Sequence, residues 1–270
     1  MPIITISRGS YSKGKEIAEK VAQELGYECI ARKVLLEASD EFNIPELKLI
    51  RAIHDAPSLL GRLSVEKKKY IAFVRKEILD HFKKDNVVYH GLAGHFFVKG
   101  ISHVIKVRII ADMEDRVRLE MKREGISREK ALHILQKDDE ERRKWSQALY
   151  HLDTRDSGSY DLVLHIHKLT VNDAVDTICR TAKLAQFQAT PESRRAIDDL
   201  ALAAHAEAKL MVLAPDLQVS ADDGKVLVKM MAPQFFVDKL TQDICESAKA
   251  IPGIKEIKVD VTAQGAGSAG

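Results

Sequence analysis

Cysteine is scarce in this chain: 270 residues carry three, Cys29, Cys179 and Cys245, far apart and odd in number. That usage excludes a disulfide framework, and the spacing matches no metal-binding pattern. Reduced thiols and a cytoplasmic setting are therefore expected. Long apolar runs are missing too, since none approaches the roughly 20 residues a membrane-crossing helix needs. Met1-Pro2 passes directly into a β-branched run, with no signal-peptide pattern between them. Charge of one sign is also lacking. The 42 Lys and Arg against 40 Asp and Glu give a net of +2, which argues against a dedicated nucleic-acid binder. The balance is uneven along the chain: from residue 190 onward 9 basic residues face 12 acidic ones, a net of −3, which leaves +5 before that point. A basic first part suits an anionic ligand, and a solvated surface accounts for it almost as well.

The basic part opens on the most informative stretch. Ile3 to Ile6 is apolar and β-branched, a glycine-containing loop follows, and Gly14 to Leu25 has helical periodicity. Gly9 to Lys15 fits G-x-x-x-x-G-K, the pattern of a loop that cradles phosphates. Backbone N–H groups of such a loop point inward, and the following helix offers its positive dipole end. Gly9, Ser10, Tyr11, Ser12, Lys13, Gly14, Lys15 and Glu16 are the candidate binding residues, with Lys15 reaching the outer phosphates. The usual Ser or Thr after the lysine, whose hydroxyl ligates magnesium, is replaced by Glu16. An ordinary helix N-terminus with a basic first turn is the competing explanation. The order strand, loop, helix favours the phosphate loop.

Further along, strands alternate with helices. Strands are expected at 2–7, 27–30, 86–90, 103–110 and 160–166. Helices are expected at 14–25, 32–41, 45–55, 64–84, 113–124, 127–145 and 171–187. Near-continuous apolar strands alternating with helices indicate an α/β domain on a parallel sheet. Ligands in such sheets bind beyond the carboxyl ends of the strands, where the loop lies. The polar segment around 188–194, with Pro191, reads as a linker. After it comes a different order: helix, strand, an Asp223-Gly224 turn, strand, helix, strand. This αββαβ order makes a small α+β unit over 195–263, and 264–270 reads as a disordered tail.

His165 and His167, two apart, share one face of the last strand of the α/β domain, and His90 and His95 flank the end of the third. No third ligand stands at a recognisable spacing, so all four read as hydrogen-bonded polar edges, and no metal is expected.

Several stretches together resemble the cytidylate kinase-like proteins, P-loop kinases related to nucleoside monophosphate kinases. They are Ile4-Thr5-Ile6-Ser7-Arg8 leading to Gly14-Lys15-Glu16-Ile17-Ala18, Glu114-Asp115-Arg116 within 109–125, Ser127-Arg128-Glu129-Lys130-Ala131 with Asp139-Glu140-Glu141-Arg142-Arg143, and Ser159 to Leu164. The resemblance covers residues 1–187 and implies phosphoryl transfer from ATP, with Mg2+, to a nucleoside monophosphate, CMP or dCMP. It implies lid arginines at Arg142, Arg143 and Arg155, donor-nucleotide contacts from Arg116 and Arg123, and an acceptor-phosphate contact from Arg32. Ala31 and the run His90-Gly91-Leu92-Ala93-Gly94-His95 depart from the family's acidic pattern. A nucleotide-binding regulatory protein without catalysis therefore stays open, as does a kinase for another small metabolite. The αββαβ unit resembles a BON domain in its element order, Asp223-Gly224-Lys225-Val226 and Pro252-Gly253-Ile254, which implies a protein partner.

Overall fold

The computed structural model describes residues 1–9, 12–31, 33–45, 48–49, 64–91, 94–150 and 152–264, with backbone alone at 148, 149, 263 and 264. The strand β1 (Ile3–Arg8) is buried almost throughout and lies inside a five-stranded sheet of order β2-β3-β1-β4-β5. Its neighbours β3 (Val87–His90) and β4 (Val104–Ala111) both run parallel to it, Ile4 standing opposite Val88 on one side and Ile105 on the other. The edges are β2 (Glu28–Ile30) and β5 (Leu162–Ile166). Every pairing in this sheet is parallel, which requires helices on both faces.

Alternation along β1 divides the core. Ile4 and Ile6 face α1 (Gly14–Leu25) and α7 (Val171–Ala182), meeting Ile17, Val21, Val175 and Ile178. Ile3 faces the other layer, built from α2 (Lys33–Phe42), α3 (Val65–Phe82), the short α4 (Gly94–Phe97) and Trp145 of α6 (Arg128–Tyr150). Between β4 and α6 runs α5 (Met113–Glu124). Capping is as the sequence suggests in several places. Gly26 and Gly125 end α1 and α5 with φ of 69° and 65°, and Ser64 accepts from Lys67 N at the start of α3.

Beyond the main sheet, α8 (Pro191–Leu210) leads to a three-stranded sheet of order β6-β7-β8. Strand β6 (Gln218–Asp222) is antiparallel to β7 (Lys225–Pro233), and β8 (Glu256–Gln264) is parallel to β7 after the crossover helix α9 (Val237–Lys249). Asp223 and Gly224 both have positive φ, 45° and 79°, as the two-residue hairpin turn needs.

Some expectations change. Residues 191–194 of the supposed linker form the first turn of α8. Thr190 and Ser193 make a reciprocal capping box there, with Pro191 at the first helical position. The closing helix of the α/β part stops at Ala182 and is followed by a 3-10 turn, Ala185–Phe187. Strand β7 continues to Pro233, so α9 starts at Val237. The helix expected at 45–55 lies mostly outside the described residues; of the tail expected at 264–270, Gln264 ends β8 and the rest lies outside them. No described helix is long and apolar enough to cross a membrane.

Candidate functional site

The loop after β1 is shaped by its neighbours' size. Gly14 opens α1 where a Cβ would stand 2.7 Å from Arg8 Cδ and 2.8 Å from Arg8 Cβ, so the second glycine of the motif is a packing requirement. Ahead of it, Lys13 takes a left-handed conformation with φ of 62°. Ser12 is fully buried, its hydroxyl 3.0 Å from Gly9 O and 3.2 Å from Ile109 O, which fastens the loop to β4. That hydroxyl faces the protein rather than a ligand. Ser10 and Tyr11 lie outside the described residues, as does Arg32.

The loop borders a cavity of about 820 Å³ at the carboxyl ends of β1, β3 and β4. Its lining brings together Gly9, Lys15, Arg142, Arg143 and Arg155, contributed by segments up to 146 residues apart in sequence. Lys15 is exposed and 3.7 Å from Glu19. Arg142 donates to Arg8 O at 3.2 Å, and burial draws its guanidinium below the ordinary arginine range, against the opposing pull of Asp138 and Asp139. Arg143 is paired with Glu140 at 2.6 and 2.8 Å. Arg155 chelates Asp153, which holds that carboxyl down at about 2. Arg116 is nearly buried, 3.4 Å from where a Gly9 Cβ would stand, and is joined to Asp139 by two bonds of 2.8 and 2.9 Å.

Other expected residues go elsewhere. Arg123, at the far end of α5, pairs with Glu120 and Glu124 and does not line the cavity. Lys13 and Glu16 line a second cleft of about 620 Å³ between α1, α5 and the β5–α7 loop, with Glu16 paired to Lys20 at 3.2 Å.

The structure adds residues that spacing does not reveal. Arg8 and Arg108 line the cavity, and Arg108 donates to Ser7 Oγ at 3.0 Å while lying 5.7 Å from the Tyr160 ring centre. Tyr160 donates to Thr154 O at 3.1 Å, with His95 Nε2 3.4 Å from its hydroxyl. A signal is available for Arg108: a charged residue amid Val104, Ile105, Val107 and Ile109 is costly in a central parallel strand unless it opens onto water or a ligand.

This site is rich in cations for phosphate oxygens. For a protein-held magnesium ion it is poorly equipped. The cavity carboxylates Glu19, Asp139 and Glu140 are each paired with a cation, the loop hydroxyl of Ser12 is turned inward, and Glu16 lies on the other cleft.

A family model described as the cytidylate kinase-like family matches residues 3–168. Among solved structures, an uncharacterized protein from Eubacterium ventriosum ATCC 27560 is similar at 22% identity with a TM-score of 0.51. The similarity covers 67% of this chain and 98% of that one. A shikimate kinase from Bacteroides thetaiotaomicron aligns at 9% identity and a TM-score of 0.43, over 68% of this chain and 99% of its own. No curated protein matches the chain.

Proposed function

Because the chain belongs to the cytidylate kinase-like family, we propose that it is a nucleotide-dependent kinase that transfers the γ-phosphoryl group of ATP to a nucleoside monophosphate, with CMP or dCMP as acceptor. The observation that carries this reading is the arginine-lined cavity opening directly beside the phosphate loop. Lys15 and the arginines share that cavity, so donor and acceptor phosphates can meet within it. An acceptor phosphate oxygen attacks the γ-phosphorus, the bond to the bridging oxygen of ADP breaks, and the acceptor leaves as a diphosphate. Chemistry of this kind asks for in-line placement and charge neutralisation more than for a covalent protein group. Lys15 is assigned to the outer donor phosphates and Arg142, Arg143 and Arg155 to the transferring and acceptor phosphates. Magnesium, when it accompanies ATP, neutralises phosphate charge. The paired carboxylates favour an ion held through the phosphates and water rather than through direct protein ligands.

Glu16, facing away from the cavity, favours one other reading, a module that binds nucleotide without catalysis. Coupled ADP release with CMP, dCMP, UMP and AMP offered in turn separates the two. CMP- or dCMP-stimulated turnover that vanishes in a folded Lys15→Ala variant supports the kinase. ATP binding without turnover on any acceptor supports the module. The C-terminal αββαβ unit we read as BON-like and as a protein-binding element, on the strength of its exposed Phe235 and Phe236. Three free thiols fit a cytoplasmic setting.

A further inference from the structure

Away from the arginine-lined cavity, four metal-ligating side chains converge where β4 and β5 end. Asp112 precedes α5, and Asp115 lies one turn into that helix. His165 and His167 project from the same side of the edge strand β5 and its extension, their rings stacked with centres 6.0 Å apart. Asp112 stands between them, Oδ1 2.9 Å from His165 Nε2 and Oδ2 2.9 Å from His167 Nδ1. Asp115 Oδ2 is 3.7 Å from the same His167 Nδ1, and the ligand atoms of Asp112, Asp115 and His167 all lie within 4.8 Å of one another. From these positions we infer a binding site for a divalent transition cation of the zinc type, held by His167, Asp112 and Asp115 with His165 orienting Asp112.

The spacing suits that ion. Bonds of about 2.0–2.1 Å at tetrahedral angles put ligand atoms about 3.3 Å apart, and the two His167 distances, 2.9 and 3.7 Å, bracket that value. One imidazole with two carboxylates, backed by a second imidazole, selects zinc, cobalt or nickel over magnesium and calcium, which take all-oxygen sets. Three protein ligands leave a fourth position open to water.

A separate feature of the backbone points the same way. Asp112 holds the extended conformation of a helix N-cap, φ −60° and ψ 141°, yet its carboxylate makes no capping bond. Asp is a preferred capping residue, and here that role is left unfilled. The carboxylate is committed to the histidines instead. Asp115 has one further partner, Arg118 on the next turn of α5, which competes for it with a bound cation. All four side chains of the set are accessible, so an ion can reach them. Sequence spacing does not reveal the set, because the carboxylates come from one element and the histidines from another some 50 residues later.

The test is calorimetric titration of the full chain with Zn2+, and with Co2+ followed by its visible absorption. One equivalent is expected to bind with tetrahedral cobalt bands. His167→Ala and Asp112→Asn should each weaken binding at least tenfold, and His165→Ala by about tenfold as a supporting residue. Arg118→Ala should keep or raise the affinity. Cys29→Ser should leave it unchanged, because that thiol lies outside the set. Unaltered far-ultraviolet circular dichroism shows that each variant is folded. Absence of stoichiometric binding, or equal affinity in wild type, His167→Ala and Asp112→Asn, overturns the inference.

Discussion

His90 and His95 are neutral rings on the cavity wall. Burial pushes His90 down to about 4, with Arg8 and Lys15 pressing the same way, and pushes His95 down to about 3, with Arg108 and Lys106 assisting. Both folded values lie below the ordinary histidine value, so the unfolded chain binds more protons than the folded one between about pH 6.5 and 4. The histidine contribution is therefore fully present above pH 6.5 and lost as pH falls through that window. For His90 it amounts to about 3 kcal/mol, since each tenfold difference in proton affinity between the unfolded and folded chain is worth about 1.4 kcal/mol. Urea denaturation at pH 7 and pH 5 should show wild type losing more stability than His90→Gln; equal losses contradict the assignment. At this scale the site is only partly legible in the sequence. Lys15 stands out by its motif, and Arg142, Arg143 and Arg155 by the family resemblance alone; all four line the cavity. His90 and His95 read there as mere polar edges, because their burial beside Arg8 and Arg108 depends on the strand order. Arg123 is misplaced because its position along α5 carries it away from Arg116 and onto Glu120 and Glu124.

The loop and α1 form the element on which the site depends, and their strain is measurable. Lys13 holds φ of 62° without a glycine's freedom, a conformation that costs an L-residue about 1 kcal/mol. Lys13→Gly is expected to raise the unfolding free energy by about 0.5–1 kcal/mol, net of the glycine's greater unfolded-state entropy. Thermal melts check this, and a lowered melting temperature would contradict the left-handed assignment. Strands and helices are mostly legible from periodicity. β1 is visible as a β-branched run, and α1 ends at Gly26, where a C-terminal glycine marks the stop. Polar composition misleads at residues 188–194, where Thr190, Pro191 and Ser193 are capping residues as well as loop-formers. The same letters that suggest a linker therefore start α8.

At the scale of the whole molecule, α8 is shared. Ile197, Ala201 and Ala204 pack into the core beneath the five-stranded sheet, while Ala206 and Leu210 pack into the core of the three-stranded one, which Ala72 of α3 also enters. Arg75 of α3 and Glu207 of α8 add a part-buried ion pair of 2.7 Å. A continuous helix serving two cores couples them, so calorimetry should record a single unfolding transition. Two separated transitions would show independent units. Ala204→Leu, overfilling the α3–α8 contact, should destabilise the fold by about 1–3 kcal/mol. Two compositional parts are visible in the sequence, but composition does not show that their boundary is a helix packed on both sides. Phosphoryl transfer at the arginine-lined cavity is tested most directly by following labelled γ-phosphate from ATP offered with CMP. The expected result is label in CDP from wild type and none from Lys15→Ala. Label found only in inorganic phosphate, or remaining in bound ATP, would contradict it.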